Sequence, residues 1–269
     1  MNYLKQQVVV FLITLQFLTR LPVSGVLSFL TEKQTVFTSQ QIAKTLKLYP
    51  LVGLIIGLIL VLVSLLLQEV IDDHALLVAG LITFCWVYLS GGLHLDGVAD
   101  MADAWIGGLG DKDKTLQILK DPYCGPFGVI AVTSVIVMKL IFCYEIIKDN
   151  FILLLLPPLM ARIGVVVLIM MTDYVRKEGI ARDLKSAEEK TANVTGILFF
   201  SGLAFYMLIT FLAPMSAIAV ILVSLFFFWR FRRVVVKRLS GITGDIAGAF
   251  IEYMELLILF CLTLLFAFI

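Results

Sequence analysis

Long apolar runs decide what this chain can become. Stretches at 48–67, 76–93, 127–147, 151–171, 194–212, 213–229 and 249–269 each come close to the roughly 20 apolar residues that a helix needs to cross a bilayer. Backbone polar groups inside lipid must be satisfied within the segment, so such runs fold as helices. Apolar residues make up 61% of the 269 and charged residues only 15%, which leaves almost nothing for a soluble domain. The expected fold is all-α: a single polytopic membrane helix bundle over 1–269, with about seven transmembrane helices. Residues 1–20 add an N-terminal helix between Lys5 and Arg20. It is too short to span, and is expected at the interface or against the bundle. Residues 8–18 lack a small-residue cleavage site, so no signal peptide is evident.

Basic residues orient the spans. Loops after the second, fourth and sixth carry Lys112, Lys114 and Lys120, then Arg176, Lys177, Arg182, Lys185 and Lys190, then Arg230, Arg232, Arg233, Lys237 and Arg238. Loops after the first, third and fifth carry essentially Lys148 alone. The positive-inside rule places the N-terminus and the basic loops in the cytoplasm, and the C-terminus outside. The net charge of +1 gives no ground for a nucleic-acid partner; the expected partner surface is the lipid bilayer. Cys85, Cys124, Cys143 and Cys261 have no metal or redox spacing and read as small apolar residues.

The chemistry concentrates in SGGLHLDGVADMADAW, residues 90–105. Asp96, Asp100 and Asp103 are spaced i, i+4 and i+7, which puts all three on one face of a helix. Carboxylates that close repel each other unless a cation compensates them. Oxygen ligands beside apolar surface suit Mg²⁺, which usually brings substrate phosphates with it. A solvated acidic helix end is the bland alternative. Its position at the cytoplasmic end of the second span favours function, because ionisable residues there are seldom idle.

Other segments supply candidate partners. In LKDPYCGPFG, residues 119–128, Lys120 and Asp121 can meet a phosphate and a metal, and Gly125 and Gly128 can offer backbone N–H groups to an anion. A helix-capping turn is the alternative there. Arg162, after Pro157-Pro158, is costly inside a span and needs an anionic partner, either substrate phosphate or a structural carboxylate. His94 can bind substrate, act as an acid or base, or be structural. Gly241-Ile242-Thr243-Gly244-Asp245 leads into a span carrying Glu252 and Glu255, a second carboxylate group that can complete a metal site or supply a base. Gly179-Ile180-Ala181-Arg182 is a possible lid, though such charge runs are usually surface. Gly53 and Gly57 form a G-x-x-x-G helix-packing pair.

FLTRLPV (17–23), YPLVGLIIG (49–57), GGLHLDGVADMADA (91–104), ILKDPYCGPFGV (118–129) and GITGDIAGAFIEYMEL (241–256) run the length of the chain. In this order and spacing they resemble the cobalamin synthase family, the adenosylcobinamide-GDP ribazoletransferases. The departures are Pro122-Tyr123-Cys124, where a small and a basic residue are usual, and Trp105 in place of glycine. The resemblance implies that α-ribazole, or its 5′-phosphate, attacks adenosylcobinamide-GDP to give adenosylcobalamin, or its 5′-phosphate, with release of GMP and a need for Mg²⁺. It implies a multi-pass enzyme of a bacterial or archaeal cytoplasmic membrane with its site on the cytoplasmic side. Asp96, Asp100, Asp103 and Asp245 are then expected to be catalytic, with Asp103 or Asp245 the base. Asp96, Asp100, Asp103, Asp121 and Asp245 are expected at the metal, and Arg20, His94, Lys120, Gly125, Gly128 and Arg162 at the substrates. A homo-oligomer remains open. Two rivals are weighed against this. A CDP-alcohol phosphotransferase would carry an arginine soon after its Asp-Gly. A divalent-cation transporter would place its carboxylates at mid-bilayer.

Overall fold

The computed structural model describes residues 3–31, 37–71, 74–175, 184 and 190–267. The 179–182 segment expected as a lid lies outside the described residues. Among those described, twelve α-helices form: α1 (Tyr3–Leu18), α2 (Ser24–Leu30), α3 (Ser39–Thr45), α4 (Tyr49–Val70), α5 (Ala75–Ser90), α6 (Leu93–Gly107), α7 (Lys112–Ile118), α8 (Pro126–Asn150), α9 (Leu156–Met171), α10 (Lys190–Phe211), α11 (Pro214–Leu239) and α12 (Gly244–Ala267). The all-α expectation holds. The N-terminal helix α1 buries Val9, Val10, Leu12 and Ile13 against α2, α3 and α4, so it packs on the bundle. Thr38 caps α3 as expected, with Gln41 completing a capping box.

Length and composition alone give five helical stretches able to cross a bilayer, or six with the bent pair α5–α6 counted as one. One of the five, Pro126–Met171, has 46 residues. A straight helix of that length would be about 70 Å, more than twice the ~30 Å hydrocarbon core. Glu255 shows that the chain turns back within it. Its carboxylate accepts from Lys139 on α8 (2.5 Å) and from Arg162 on α9. A straight helix would hold those residues about 35 Å apart. The reversal falls at Asn150, whose backbone is extended (φ −157°, ψ 93°) and whose side chain caps the 3₁₀ turn Phe151–Leu155. Pro157-Pro158 then opens α9. The reversal divides this stretch into α8 and α9, so the number of crossings is close to the seven expected.

At the centre, α12 packs on α6, α9 and α8, while α4 packs on α9 and the 151–155 turn. Gly53 and Gly57 are where α4 meets that turn. A Cβ on Gly53 would overlap the Pro158 carbonyl, and one on Gly57 would come to 2.8 Å from Leu155 Cα. The helix-packing role expected of this pair is met.

Three boundaries differ from expectation. The second apolar run does not continue into the aspartates: Gly91 (φ 64°) and Gly92 (φ 68°) end α5, and α6 leaves at 86° to it. The left-handed backbone of two consecutive residues stops the helix, and glycine is the residue that takes it without penalty. The sixth span runs ten residues further than 229, because nothing in Arg230–Leu239 breaks a helix until Ser240. The last begins at Gly244, not 249, so Asp245 sits in the first turn of α12, where the helix dipole favours an acid.

Candidate active site at the α6–α12 crossing

The ends of many elements meet on one side of the bundle. Arg20 N–H donates to Leu89 O (2.8 Å), which ties the end of α1 to the end of α5, and the Arg20 side chain lies over Gly91. Tyr174 pairs with Ile242 in an isolated bridge, joining the exit of α9 to the entrance of α12. Arg232 on α11 donates to Thr172 Oγ1 (3.0 Å) and Met171 O (2.8 Å). Arg238 donates to Gly108 O (2.6 Å) and Trp105 O (3.1 Å). These two arginines sit in the stretch read from sequence as a basic loop. The structure gives them carbonyls at the C-terminal ends of α9 and α6, the end of a helix that attracts cations.

Close backbone approach builds the site. A Cβ on Gly97 of α6 would overlap Asp245 O, and one on Gly248 of α12 would stand 3.3 Å from His94 Cα. Small residues at the crossing let the two helices touch, and this brings His94 and Asp96 beside Asp245. All three line one cavity of about 200 Å³. Asp96 is exposed and Asp245 half-buried. Asp245 Oδ2 accepts from Thr243 Oγ1 (3.3 Å), and Thr243 also takes the Ile246 N–H at the helix entrance.

Asp103 faces another way from the base or metal ligand expected of it. Its Oδ2 accepts from Gly125 N (2.7 Å) and its Oδ1 from Gly128 N (3.0 Å). The sequence reading offered those amides to a substrate anion. The structure uses the Asp103 carboxylate as that anion, docking α6 on the N-terminus of α8. Any Cβ at Gly125 or Gly128 would strike the carboxylate, which explains both glycines. Lys120 and Asp121 lie exposed on the turn before α8, where Asp121 Oδ1 accepts from Tyr123 N (3.0 Å) and so belongs to its own turn.

Arg162 and the two glutamates are corrected more sharply. Lys139, Arg162, Glu252 and Glu255 are all buried, with no more than 2% exposure. Lys139 Nζ reaches Glu252 (2.6 Å) and Glu255 (2.5 Å), and Arg162 pairs with Glu255. The Lys139 ammonium also stands 4.6 Å above the Trp86 ring. Two cations and two anions cancel among α5, α8, α9 and α12. Arg162 thus pairs with a structural carboxylate, though its Nε and Nη2 have no hydrogen-bond partner, and Glu252 and Glu255 are both engaged in the ion cluster. The sequence signal was four lone ionisable residues in apolar runs, each needing a partner.

Among the described residues, no three His, Cys, Asp or Glu side chains form a preassembled metal cage. Mg²⁺ does not require one, since it commonly takes one or two carboxylates and fills its shell with water and phosphate oxygens. Asp96 and Asp100, one turn apart on α6, with Asp245 across the crossing, fit that kind of open site. Asp103 and Asp121, bound to backbone amides, do not add to it.

Cys124, exposed beside this face, reports on its charge. Desolvation, and then the carboxylates of Asp103, Asp100 and Asp96, push its thiol up from the ordinary range. Less thiolate at neutral pH means slow alkylation. Cys124 is therefore expected to react with iodoacetamide more slowly than a free cysteine at pH 8. Asp100→Asn should speed the reaction by lowering the thiol, as read by mass spectrometry of the labelled peptide.

Residues 10–263 match the family model described as CobS, cobalamin-5-phosphate synthase. The chain is 42% identical over 253 residues to an adenosylcobinamide-GDP ribazoletransferase of Acinetobacter baumannii (strain ACICU), covering 93% of this chain and 95% of that protein. It is 39% identical over 255 residues to one of Pseudomonas putida (strain GB-1), covering 94% and 98%. No solved structure matches it. A polytopic helical bundle carrying an acidic face at a glycine-lined crossing, matched over nearly its whole length, belongs to the CobS family of cobalamin-5-phosphate synthases.

Proposed function

We propose that this protein is an adenosylcobinamide-GDP ribazoletransferase, acting late in adenosylcobalamin biosynthesis with Mg²⁺ at the cytoplasmic face of a prokaryotic cytoplasmic membrane. The observation that carries the reading is the meeting of Asp96 and His94 with Asp245 in one cavity, in a chain of this family. A ribose hydroxyl of α-ribazole, or of its 5′-phosphate, attacks the phosphorus on the cobinamide side of the diphosphate. A new P–O bond forms, the bond to the bridging oxygen breaks, and GMP leaves with that electron pair.

Asp245, half-buried on the cavity wall, takes the proton of the attacking hydroxyl. Asp96 and Asp100 would hold Mg²⁺, which when bound would neutralise charge on the leaving phosphate. Arg20, at the α5–α6 hinge, and Lys120, on the turn into α8, supply cationic contacts to phosphate oxygens. Asp103 positions the site by fixing the entrance of α8 against α6. The basic residues after the second and fourth spans and at the C-terminal end of α11 support the cytoplasmic orientation.

The test is incubation of purified protein with adenosylcobinamide-GDP and α-ribazole, or its 5′-phosphate, followed by mass spectrometry. One GMP per adenosylcobalamin, or adenosylcobalamin 5′-phosphate, is expected. GMP without the joined product would make the protein a diphosphate hydrolase and contradict the reading.

A further inference from the structure

We infer that the cavity beside Asp96 and Asp245 is the pocket for the aromatic base of the ribazole, so that its apolar walls decide which base is accepted. The inference rests on the ribazoletransferase reading. Size comes first. The cavity holds about 200 Å³. An engineered cavity of about 150 Å³ takes up benzene, so this one suits a fused aromatic pair of rings and excludes anything like a corrin.

Its lining comes second. Phe17, Leu93, Val165, Ile169, Ile242 and Ile251 supply apolar walls. Polar side chains on the lining are His94, Asp96 and Asp245, already placed at the reaction, with hydroxyls from Tyr49, Thr172, Tyr174 and Thr243. Guanine, which with the adenine of the adenosyl group is the other kind of bicyclic base in the reaction, carries a carbonyl, an amino group and a ring N–H around its edge. Wherever guanine's edge met the apolar walls, these groups would be left unpaired, at about 1–3 kcal/mol each. A benzimidazole presents two rings of carbon edge and one lone-pair nitrogen.

The third observation is that lone pair's counterpart. His94 is 3% exposed, and its Nδ1 has no hydrogen-bond partner. A neutral imidazole carries its proton on either nitrogen, so His94 can donate to the single acceptor of the base. With the base between α9 and α12, its ribose would lie toward Asp96 and Asp245, where the hydroxyl must attack. Val165 on α9 and Ile251 on α12, both on the wall, are the specificity-determining residues.

The test exchanges size between protein and base. Val165→Phe is expected to raise KM for 5,6-dimethylbenzimidazole riboside at least tenfold while KM for adenosylcobinamide-GDP stays within about twofold. A one-ring imidazole riboside should recover much of that loss. Ile251→Ala, which does not depend on the bulky variant folding, should admit a three-ring naphthimidazole riboside that the parent turns over poorly. A rise in KM for adenosylcobinamide-GDP in Val165→Phe would place the nucleotide or corrin there and overturn the inference. So would a base preference unchanged in Ile251→Ala. If the parent protein joins no riboside at all, the ribazoletransferase reading itself fails. That outcome is distinct from altered selectivity in an active enzyme.

Discussion

Asp96→Asn and Asp100→Asn are each expected to remove nearly all turnover while the protein still inserts and melts normally. Asparagine keeps the shape and removes the charge. Loss of one preorganised charge-stabilising group typically lowers rate by about 10²–10³-fold. Asp96 is exposed and Asp100 half-buried at the rim of α6, away from the buried ion cluster, so stability should change little. Single-turnover GMP release with saturating substrates is the measurement, with thermal melting in detergent as the control. Near-normal release in both variants would remove these carboxylates from the reaction. Asp103→Asn should behave differently. The amide keeps one oxygen for the Gly125 and Gly128 N–H groups and loses the other, so α8 docks less firmly and melting should fall along with activity.

Glu255→Gln is expected to cause the largest loss of stability of any single substitution considered. Glu255 sits fully buried between Lys139 and Arg162, and its removal leaves two cations facing one remaining carboxylate, Glu252. Breaking a buried ion pair from one side typically destabilises by about 3–5 kcal/mol. Solvation is no easier to recover inside lipid. The variant should be poorly recovered from membranes and melt well below the parent. Removing Arg162 and Glu255 together, as Arg162→Leu with Glu255→Leu, leaves Lys139 with Glu252 and should restore much of the loss. If the double variant is folded and active, Arg162 does not bind substrate. A folded double variant with no activity would return Arg162 to the reaction. Yield and melting by fluorescence-detected size exclusion, set beside turnover, separate these outcomes.

What could be read ahead of the structure followed from local physics. Apolar runs of membrane length gave the bundle, and the spacing of Asp96, Asp100 and Asp103 gave a shared helical face. The apolar runs suggested about seven crossings, the alternation of basic segments agreed, and the reversal at Asn150 explains how one continuous stretch of 46 residues can hold two of them. What could not be read depended on partners far apart in the chain. Gly91-Gly92 marks a break, but its 86° turn is set by what α6 packs against. Nothing near Asp103 says that its oxygens belong to Gly125 and Gly128, more than twenty residues away. Glu252 and Glu255 read as site carboxylates because Asp245 shares their helix. Seven residues is about 10 Å of rise, enough to carry Glu252 from the rim into the ion cluster. Arg232 and Arg238 were hidden in a stretch read as a basic loop, because a basic residue that caps another helix looks the same in sequence as one that meets lipid.

Asp96 and Asp100 of α6 would hold one divalent ion together with the substrate diphosphate, leaving Asp245 on the first turn of α12 to take the proton. Mn²⁺ in place of Mg²⁺, titrated into purified protein and followed by electron paramagnetic resonance, tests this arrangement most directly. Weak binding to the protein alone is expected, and one tightly held ion once adenosylcobinamide-GDP is added, lost in Asp96→Asn but kept in Asp245→Asn, which loses turnover instead. Tight Mn²⁺ binding in the presence of adenosylcobinamide-GDP that survives Asp96→Asn would contradict it.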